Sequence, residues 1–331
     1  MKIIVPMAGI GKRMRPHTLT VPKPLLKVAG KPIVQRLVED IASLCHEAVE
    51  EIAFIVGDFG DQVERDLLAV AESLGAKGKI YQQTEALGTA HAIYCAAESL
   101  SGKVIIAFAD TLFYADFDLD EEKDGIVWVE KVDDPRPFGV VRLNSEGVIE
   151  EFIEKPQEFI SDLAIIGIYY FKDGANLRDE IKYLLDNDIK DKGEYQLTNA
   201  LENMNAKGRK FYPGKVDEWL DCGNKNATVF TNQRVLERSG GHRSTGLKDK
   251  DSLIIEPCFI GNDVSIRNSV VGPHVSIGDG SSLEGVVIKN SIVQNNTVIK
   301  NAVIGNSMIG SHVSYDGKSA DLSLGDYNQS S

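Results

Sequence analysis

Lys2-Ile3-Ile4-Val5-Pro6-Met7-Ala8-Gly9-Ile10-Gly11-Lys12-Arg13-Met14-Arg15-Pro16, followed by Pro22-Lys23-Pro24-Leu25-Leu26, is the stretch that decides how the chain is read. The run Lys2–Met7 reads as a buried strand, and a glycine-rich turn follows at Gly9–Gly11. Such a turn between a strand and a helix lets backbone amides approach an anion without side-chain obstruction. Lys12, Arg13, Arg15 and Lys23 add four cations to a chain whose formal net charge is −13. That local concentration is what recognition of a polyphosphate requires. Two better-known loops are excluded. A dinucleotide fingerprint needs a third glycine where Met14 stands, and a Walker A loop needs glycine at Pro6 and Ser or Thr at Arg13.

Outward from this loop, strand and helix signals alternate. Pro32 suits the first position of a helix running through Cys45. Glu51–Val56 reads as a strand, and Gln62–Leu74 has helical spacing of apolar residues ended by Gly75. Lys79–Gln83 is a strand, Thr89–Leu100 a helix and Lys103–Ala109 an apolar strand. The alternation predicts a Rossmann-like α/β domain with a mixed, mostly parallel sheet flanked by helices. From residue 125 strands cluster, at Gly125–Val132, Gly139–Leu143, Val148–Glu154 and Leu163–Phe171. Helices follow at Gly174 to about Asn187, Tyr195–Ala206 and Asn226–Arg238, with short strands near Lys210 and Glu218. No boundary signal interrupts them, so the first domain is taken as residues 1–238.

Residues 239–252 are polar and glycine-rich and read as a linker. Beyond them the chain repeats. Ile254, Ile260 and Ile266 are six apart, as are Val271, Ile277 and Leu283, then Val293 and Ile299. Spacings of five fall at Ile288, Ile304 and Ile309, and Gly261, Gly272, Gly278, Gly305 and Gly310 each follow such a position. This resembles the hexapeptide repeat of a left-handed parallel β-helix over residues 253–315, about three coils on that logic. An antiparallel sandwich of short strands fits less well, because hairpin Asn-Gly turns are missing. Residues 316–331 read as a polar tail.

Composition narrows the function. With 43% hydrophobic and 26% charged residues the chain is ordinary for a soluble protein. Its negative charge argues against nucleic-acid or anionic-membrane partners. The four cysteines show no CxxC spacing, which leaves no zinc knuckle or disulfide framework and favours a reducing cytoplasm. No stretch approaches the roughly 20 apolar residues of a membrane span.

The opening segment resembles the signature of the sugar-nucleotide pyrophosphorylases, the sugar-1-phosphate nucleotidyltransferases, with Lys12 where most members carry Thr or Ser. Tyr81–Ala90, Glu218–Gly223, Pro137–Val141, Glu151–Pro156, Ile166–Tyr169 and Gly193–Thr198 match further family segments in order. The resemblance implies a nucleoside triphosphate and a sugar 1-phosphate as partners, with dTTP or UTP and glucose 1-phosphate favoured. It implies Mg²⁺ held by Asp110 and Asp221, and a nucleotide bound by Ala8, Gly9, Gly11, Lys12, Gln83, Gly88 and Thr89. Gly139, Glu154, Gly167, Lys192 and Glu194 would face the sugar, and Arg13, Lys23 and Lys155 would neutralise phosphate charge. The Gln83 amide, offering a donor and an acceptor, mildly favours a pyrimidine. Two other readings stand beside this one: a catalytically silent, sugar-nucleotide-binding regulatory homologue, and a bifunctional enzyme whose β-helix is an acyltransferase. For the helix, self-association into a homo-oligomer is the plainer expectation.

Overall fold

A computed structural model describes residues 1–115 and 119–318, so that residues 319–331 of the expected tail lie outside the described residues. The chain divides into two compact units. One comprises Met1–Leu26 and Pro32–Gly223; the other comprises Lys27–Lys31 and the chain from Asn224 on.

In the first unit the strand Lys2–Pro6 lies between parallel partners, Glu51–Val56 and Val104–Ala107. Ile3, Ile4 and Val5 have no exposed surface. A strand covered on both faces needs a continuous apolar run rather than an alternating one, and that is the run the sequence carries. Lys77–Gln82 extends this parallel side beyond Glu51–Val56. Beyond Val104–Ala107 come Leu163–Phe171, Gly125–Lys131, Phe211–Lys215, Ile149–Glu154 and Gly139–Leu143. Leu163–Phe171 is antiparallel to both Val104–Ala107 and Gly125–Lys131. The sheet is thus mixed, parallel where strands and helices alternate and largely antiparallel where strands cluster. Helices α1 (Ile33–Leu44), α2 (Asp61–Ser73), α3 (Thr89–Tyr94), α4 (Gly174–Asp186) and α5 (Leu197–Ala206) belong to this unit. Phe211 meets Phe152 and Phe171 edge-on in a core shared with residues of α3, α4 and α5.

No α-helix follows the glycine-rich turn directly. Lys12–Met14 and Lys23–Leu25 are single 3₁₀ turns, and α1 is the first α-helix. Pro16, Pro22 and Pro24 account for this, each removing a backbone donor and biasing its predecessor away from helix. Any anion at this loop therefore meets loop amides and side chains rather than an α-helix N-terminus.

The second unit opens with α6 (Lys225–Ser239), capped by Asn224, whose side chain accepts from the Ala227 amide. The stretch expected as a linker is part of the repeat. His242–Arg243 pairs with Cys258–Ile260, and Lys248–Lys250 with Ser265–Arg267, all in parallel. Composition concealed this because the first coil is solvated: residues 248–250 are exposed, and Leu247 is its apolar contribution to the core. From there three sheets of short parallel strands run to Asp316, more coils than the three expected from residue 253 on.

Partners are offset by 17 and then 16 residues, as Cys258 faces Val275 and Val275 faces Ser291. Val271, Ile288 and Ile304 stack on one face, and Ile266, Leu283 and Ile299 on another. Corners fall on Asn268, Asn290, Asn296, Asn301 and Asn306, all with positive φ, a region Asn enters more readily than other side-chain-bearing residues. Inside, buried hydroxyls accept backbone amides one coil on: Ser269 from Val286 at 3.0 Å and Ser281 from Thr297 at 3.1 Å. Ile288→Ala removes a fully buried member of the stack and is expected to cost about 2–5 kcal/mol. Val303→Ala, at a position 86% exposed, is expected to change stability by less than about 0.5 kcal/mol. Chemical denaturation of both variants checks the contrast.

Candidate active site

The cleft of the first unit opens where the parallel strands end, the edge at which open α/β sheets bind ligands. It encloses about 300 Å³ and is lined by Ala8, Gly9, Gly11, Lys23, Gln83, Gly88, Thr89, Asp110 and Glu194, among others. Gly11 takes a left-handed conformation, φ 59° and ψ 42°, which turns the chain at once after the first strand. Thr18 secures the turn by donating from Oγ1 to the Gly11 carbonyl at 2.8 Å. Lys12 and Arg13 are exposed on the following turn and are not part of the cleft lining.

Lys23 is the cation that the fold brings inward. Its Nζ lies 2.8 Å from Asp110 Oδ2, with 13% of the lysine side chain and 37% of the aspartate side chain exposed. Asp110 follows the strand Val104–Ala107. Asp221 ends the strand Glu218–Asp221, which pairs antiparallel with Thr111–Tyr114 so that Asp221 stands opposite Thr111. The Cys222 amide donates to the Asp110 carbonyl at 2.9 Å, locking the two aspartates together. Asp221 Oδ1 accepts from the Gly223 amide at 2.8 Å. A Cβ on Gly223 would lie 2.8 Å from that oxygen and 3.0 Å from Arg13 Nη2, so the guanidinium and the carboxylate flank one glycine.

Burial pushes the Asp221 carboxyl above the usual aspartate range, and the nearby Asp110 charge adds to this; the Gly223 amide, Arg13 and Lys23 oppose it. Lys23 and Arg13 lie near this pair of carboxylates, Asp110 and Asp221. Such a pair suits a hard divalent cation completed by water and phosphate oxygens. Among the described residues no group of three or more His, Cys, Asp or Glu offers a fuller ligand set.

Two of the predicted residues that line the cleft also serve the fold. Gly88 is required by the protein itself: a Cβ there would lie 2.5 Å from the Tyr195 carbonyl oxygen and 2.7 Å from its nitrogen, at φ +117°. Thr89 Oγ1 accepts from the Leu197 amide at 2.9 Å and lies 3.2 Å from Gln196 Oε1, so it secures the start of α5. Gln83 has its amide nitrogen 3.2 Å from His91 Nδ1. Glu194 Oε2 accepts from Gln196 Nε2 at 3.1 Å.

Of the remaining predicted residues, Glu154, Lys155 and Lys192 line a second cleft of the same unit, about 320 Å³, together with Thr198, Asn199 and Glu202 among others. Lys155 and Lys192 both have positive φ, 45° and 52°, a conformation costly for residues with a Cβ. Lys192 Nζ donates to the carbonyls of Glu154 and Lys155, at 3.1 and 3.0 Å. Lys155 Nζ lies 3.3 Å from Glu154 Oε1 and remains half exposed. Gly139 pairs with Glu154 across the sheet. Gly167 sits where the register of Leu163–Phe171 shifts, and its carbonyl accepts from the Phe108 amide at 2.9 Å. The predicted sugar residues are thus divided, with Glu194 in the first cleft and Glu154, Lys155 and Lys192 in the second. Sequence reading missed Phe108 in the first cleft and Glu202 in the second. Glu202 accepts from the Phe152 amide, and burial raises its carboxyl above the usual range. Apolar strand ends and mid-helix glutamates carry no motif that would have singled them out.

Comparison with known proteins supplies the class. The family model described as Nucleotidyl transferase matches residues 2–238, and the chain belongs to that family. Within it the chain is a sugar-1-phosphate nucleotidyltransferase, carrying a C-terminal stack of short parallel strands. It is 29% identical to a low-salt glycan biosynthesis nucleotidyltransferase of Haloferax volcanii, over 88% of this chain and 87% of the other. It is 28% identical to a glucose-1-phosphate thymidylyltransferase of Streptomyces antibioticus, over 86% and 85%. A solved UDP-glucose pyrophosphorylase complexed with UDP-glucose shares the fold, with TM-score 0.60 and 24% identity over 72% of this chain and 98% of the other. Among the described residues no helix is long and apolar enough to cross a membrane.

The raised Asp221 carboxyl makes a stability prediction. Its ionised form is disfavoured in the folded chain, so that cost is present at neutral pH and disappears below the ordinary aspartate pKa of about 3.9. Asp221→Asn keeps an acceptor for the Gly223 amide and is expected to raise the Tm of the chelator-treated protein at pH 7. The gain should vanish near pH 3.5, and thermal unfolding at the two pH values checks it.

Proposed function

We propose that the chain joins a pyrimidine nucleoside triphosphate, dTTP or UTP, to glucose 1-phosphate and releases pyrophosphate. The observation that carries this reading is that Lys23 and Asp110, with Asp221 and Arg13 nearby, stand in a cleft lined by Ala8, Gly9 and Gly11. There an acidic protein gathers cations around two carboxylates. The glucose-1-phosphate thymidylyltransferase relative supports the choice of substrates, as does the Gln83 amide in the cleft wall.

In this reading the triphosphate lies along Ala8, Gly9 and Gly11, whose open surface admits it: a Cβ on Gly9 would meet nothing within 4 Å. Gln83 reads the base edge. Glu194 and Glu154 hold sugar hydroxyls, with Gly139 and Gly167 leaving room for the pyranose. Lys192, by binding two successive carbonyls, holds the turn that presents Lys155 to the sugar phosphate. A phosphate oxygen forms a bond to the α-phosphorus while the bond from that phosphorus to the pyrophosphate oxygen breaks, in line. The nucleophile is largely dianionic near neutral pH, its second pKa being about 6, so no residue has to remove a proton. Arg13, Lys23 and Lys155 counter the charge that moves onto the leaving and entering oxygens. Asp110 and Asp221 are the residues to hold Mg²⁺, which when bound supplies charge neutralisation on the phosphates.

The reading extends to self-association through the second unit. Leu253, Val270, Val287 and Val303 stand in register on one outer face; Leu253, Val287 and Val303 are exposed. A C2 dimer would bury such a row against its own copy.

Pyrophosphate release in the presence of Mg²⁺, scanned over five nucleoside triphosphates and a panel of sugar 1-phosphates, tests the reaction. Release with one pair is expected. Silence with ligand binding retained would favour the regulatory homologue. Asp110→Asn and Lys155→Ala are each expected to lower kcat by about a hundredfold or more with the unfolding midpoint retained, measured on the same substrate pair.

A further inference from the structure

The chain leaves the first unit after Leu26 and returns to it at Pro32; the five residues between are built into the second unit. Lys27–Val28 and Lys31–Pro32 pair as a minimal hairpin around Ala29 and Gly30, with φ 44° and 84°. Two left-handed residues in succession are the geometry of a tight hairpin turn, for which alanine is a poor choice. Something must hold it there, and Asn232 of α6 does so. This side chain has no exposed surface. Its Oδ1 accepts from the Ala29 amide at 2.9 Å and from Ser276 Oγ at 2.6 Å. Its Nδ2 donates to the His274 carbonyl at 3.5 Å.

Further restraints surround the hairpin. Gln294 Nε2 donates to the Lys27 carbonyl at 3.1 Å. The Phe259 ring lies against Gly30, where a Cβ would fall 2.1 Å from Cζ. Val28 is completely buried. Asn232 thus fastens the hairpin by a buried amide to the stack of parallel strands.

Lys23 lies four residues before Lys27, and the chain between has little slack. Leu25 and Leu26 donate to the carbonyls of Pro22 and Lys23, and Ile33 donates to Leu26. A shift of the hairpin is passed along this hydrogen-bonded turn to Lys23, whose ammonium pairs with Asp110. Geometry near a reacting phosphate is unforgiving: a displacement of about 1 Å can cost on the order of a hundredfold in rate.

We infer that Asn232 is a positioning residue for Lys23, acting through the Lys27–Lys31 hairpin; the inference rests on the reaction proposed above. The strand stack is then part of the catalytic apparatus through one buried amide.

The test uses the full chain. Asn232→Leu keeps the branching at Cγ and removes the acceptor; it is expected to lower kcat at least fivefold with both KM values within twofold. Gln294→Leu is expected to lower kcat in the same direction by less. Ser269→Ala, which removes a buried hydrogen bond of the same stack far in sequence from the hairpin, serves as the control and should leave kcat unchanged. Amide exchange read by mass spectrometry should quicken across residues 22–31 in Asn232→Leu and not in Ser269→Ala. If the wild type turns over and a folded Asn232→Leu keeps its kcat, the inference is overturned. Equal losses of kcat in Asn232→Leu and Ser269→Ala also overturn it, by exposing a general stability effect. A wild type that is silent on every substrate pair defeats the reaction reading instead. The exchange comparison then still bears on the tether, and unchanged exchange over residues 22–31 would refute it.

Discussion

The ion pair of Lys23 with Asp110 is the interaction around which the cleft is arranged. It joins a proline-rich loop near the start of the chain to the end of a central strand 87 residues on, and it does so with the lysine mostly out of water. Asp221 arrives at the same place by strand pairing with Thr111–Tyr114, and the Cys222 amide on the Asp110 carbonyl fixes the spacing. Burial raises the Asp221 carboxyl and the Asp110 charge adds to this, against the Gly223 amide, Arg13 and Lys23. Two partly buried carboxylates side by side suit a hard divalent cation, which would accompany a polyanion into the cleft. That electrostatic condition, rather than any single hydrogen bond, links the loop, the strand ends and Arg13 into one site.

Much of this was legible in the sequence where residue type and backbone demand coincide. The apolar run Ile3–Val5 announces a strand covered on both faces, and the six- and five-residue spacings of aliphatics announce stacked coils. Ala8, Gly9, Gly11, Lys23, Gln83 and Asp110, which the family resemblance implies as site residues, line one cleft. What escaped the sequence depends on contacts distant along the chain. Residues 239–252 look like a linker because the outermost coil of a stack has water on its outer side and few inward positions to fill. Gly88 looks like a place for a ligand, yet the backbone of Tyr195 fills the space that a side chain would need. Thr89 lines the cleft, and its hydroxyl also accepts from the Leu197 amide at the start of α5. The Lys27–Lys31 hairpin carries no sign that it belongs with residues more than two hundred positions later.

The second cleft shows a different use of backbone strain. Lys155 and Lys192 are both left-handed, and neither has the small or amide side chain that favours this region. Lys192 offsets the cost by giving its ammonium to the two carbonyls of the Glu154–Lys155 turn, while Lys155 makes only a half-exposed contact with Glu154. Exposed ion pairs contribute little to stability, so the contact does not explain why Lys155 is held there. The ordering is consistent with one lysine serving as a brace and the other being presented to solvent, the arrangement expected when an anion is to be received.

Loops at the carboxyl ends of strands are where an α/β sheet places chemistry, and they are also its least regular parts. A reacting group on such a loop needs rigid support from elsewhere. In this chain the hairpin that follows the loop carrying Lys23 is seated in a repeat whose strands pair every 16 or 17 residues, with amides satisfied by buried Ser and Thr hydroxyls from coil to coil. Such a stack has few soft modes, because displacing one coil breaks its ladders on three faces at once. Seating a five-residue hairpin in it, by a fully buried asparagine and a ring laid on glycine, transfers that rigidity to the residues just before the hairpin.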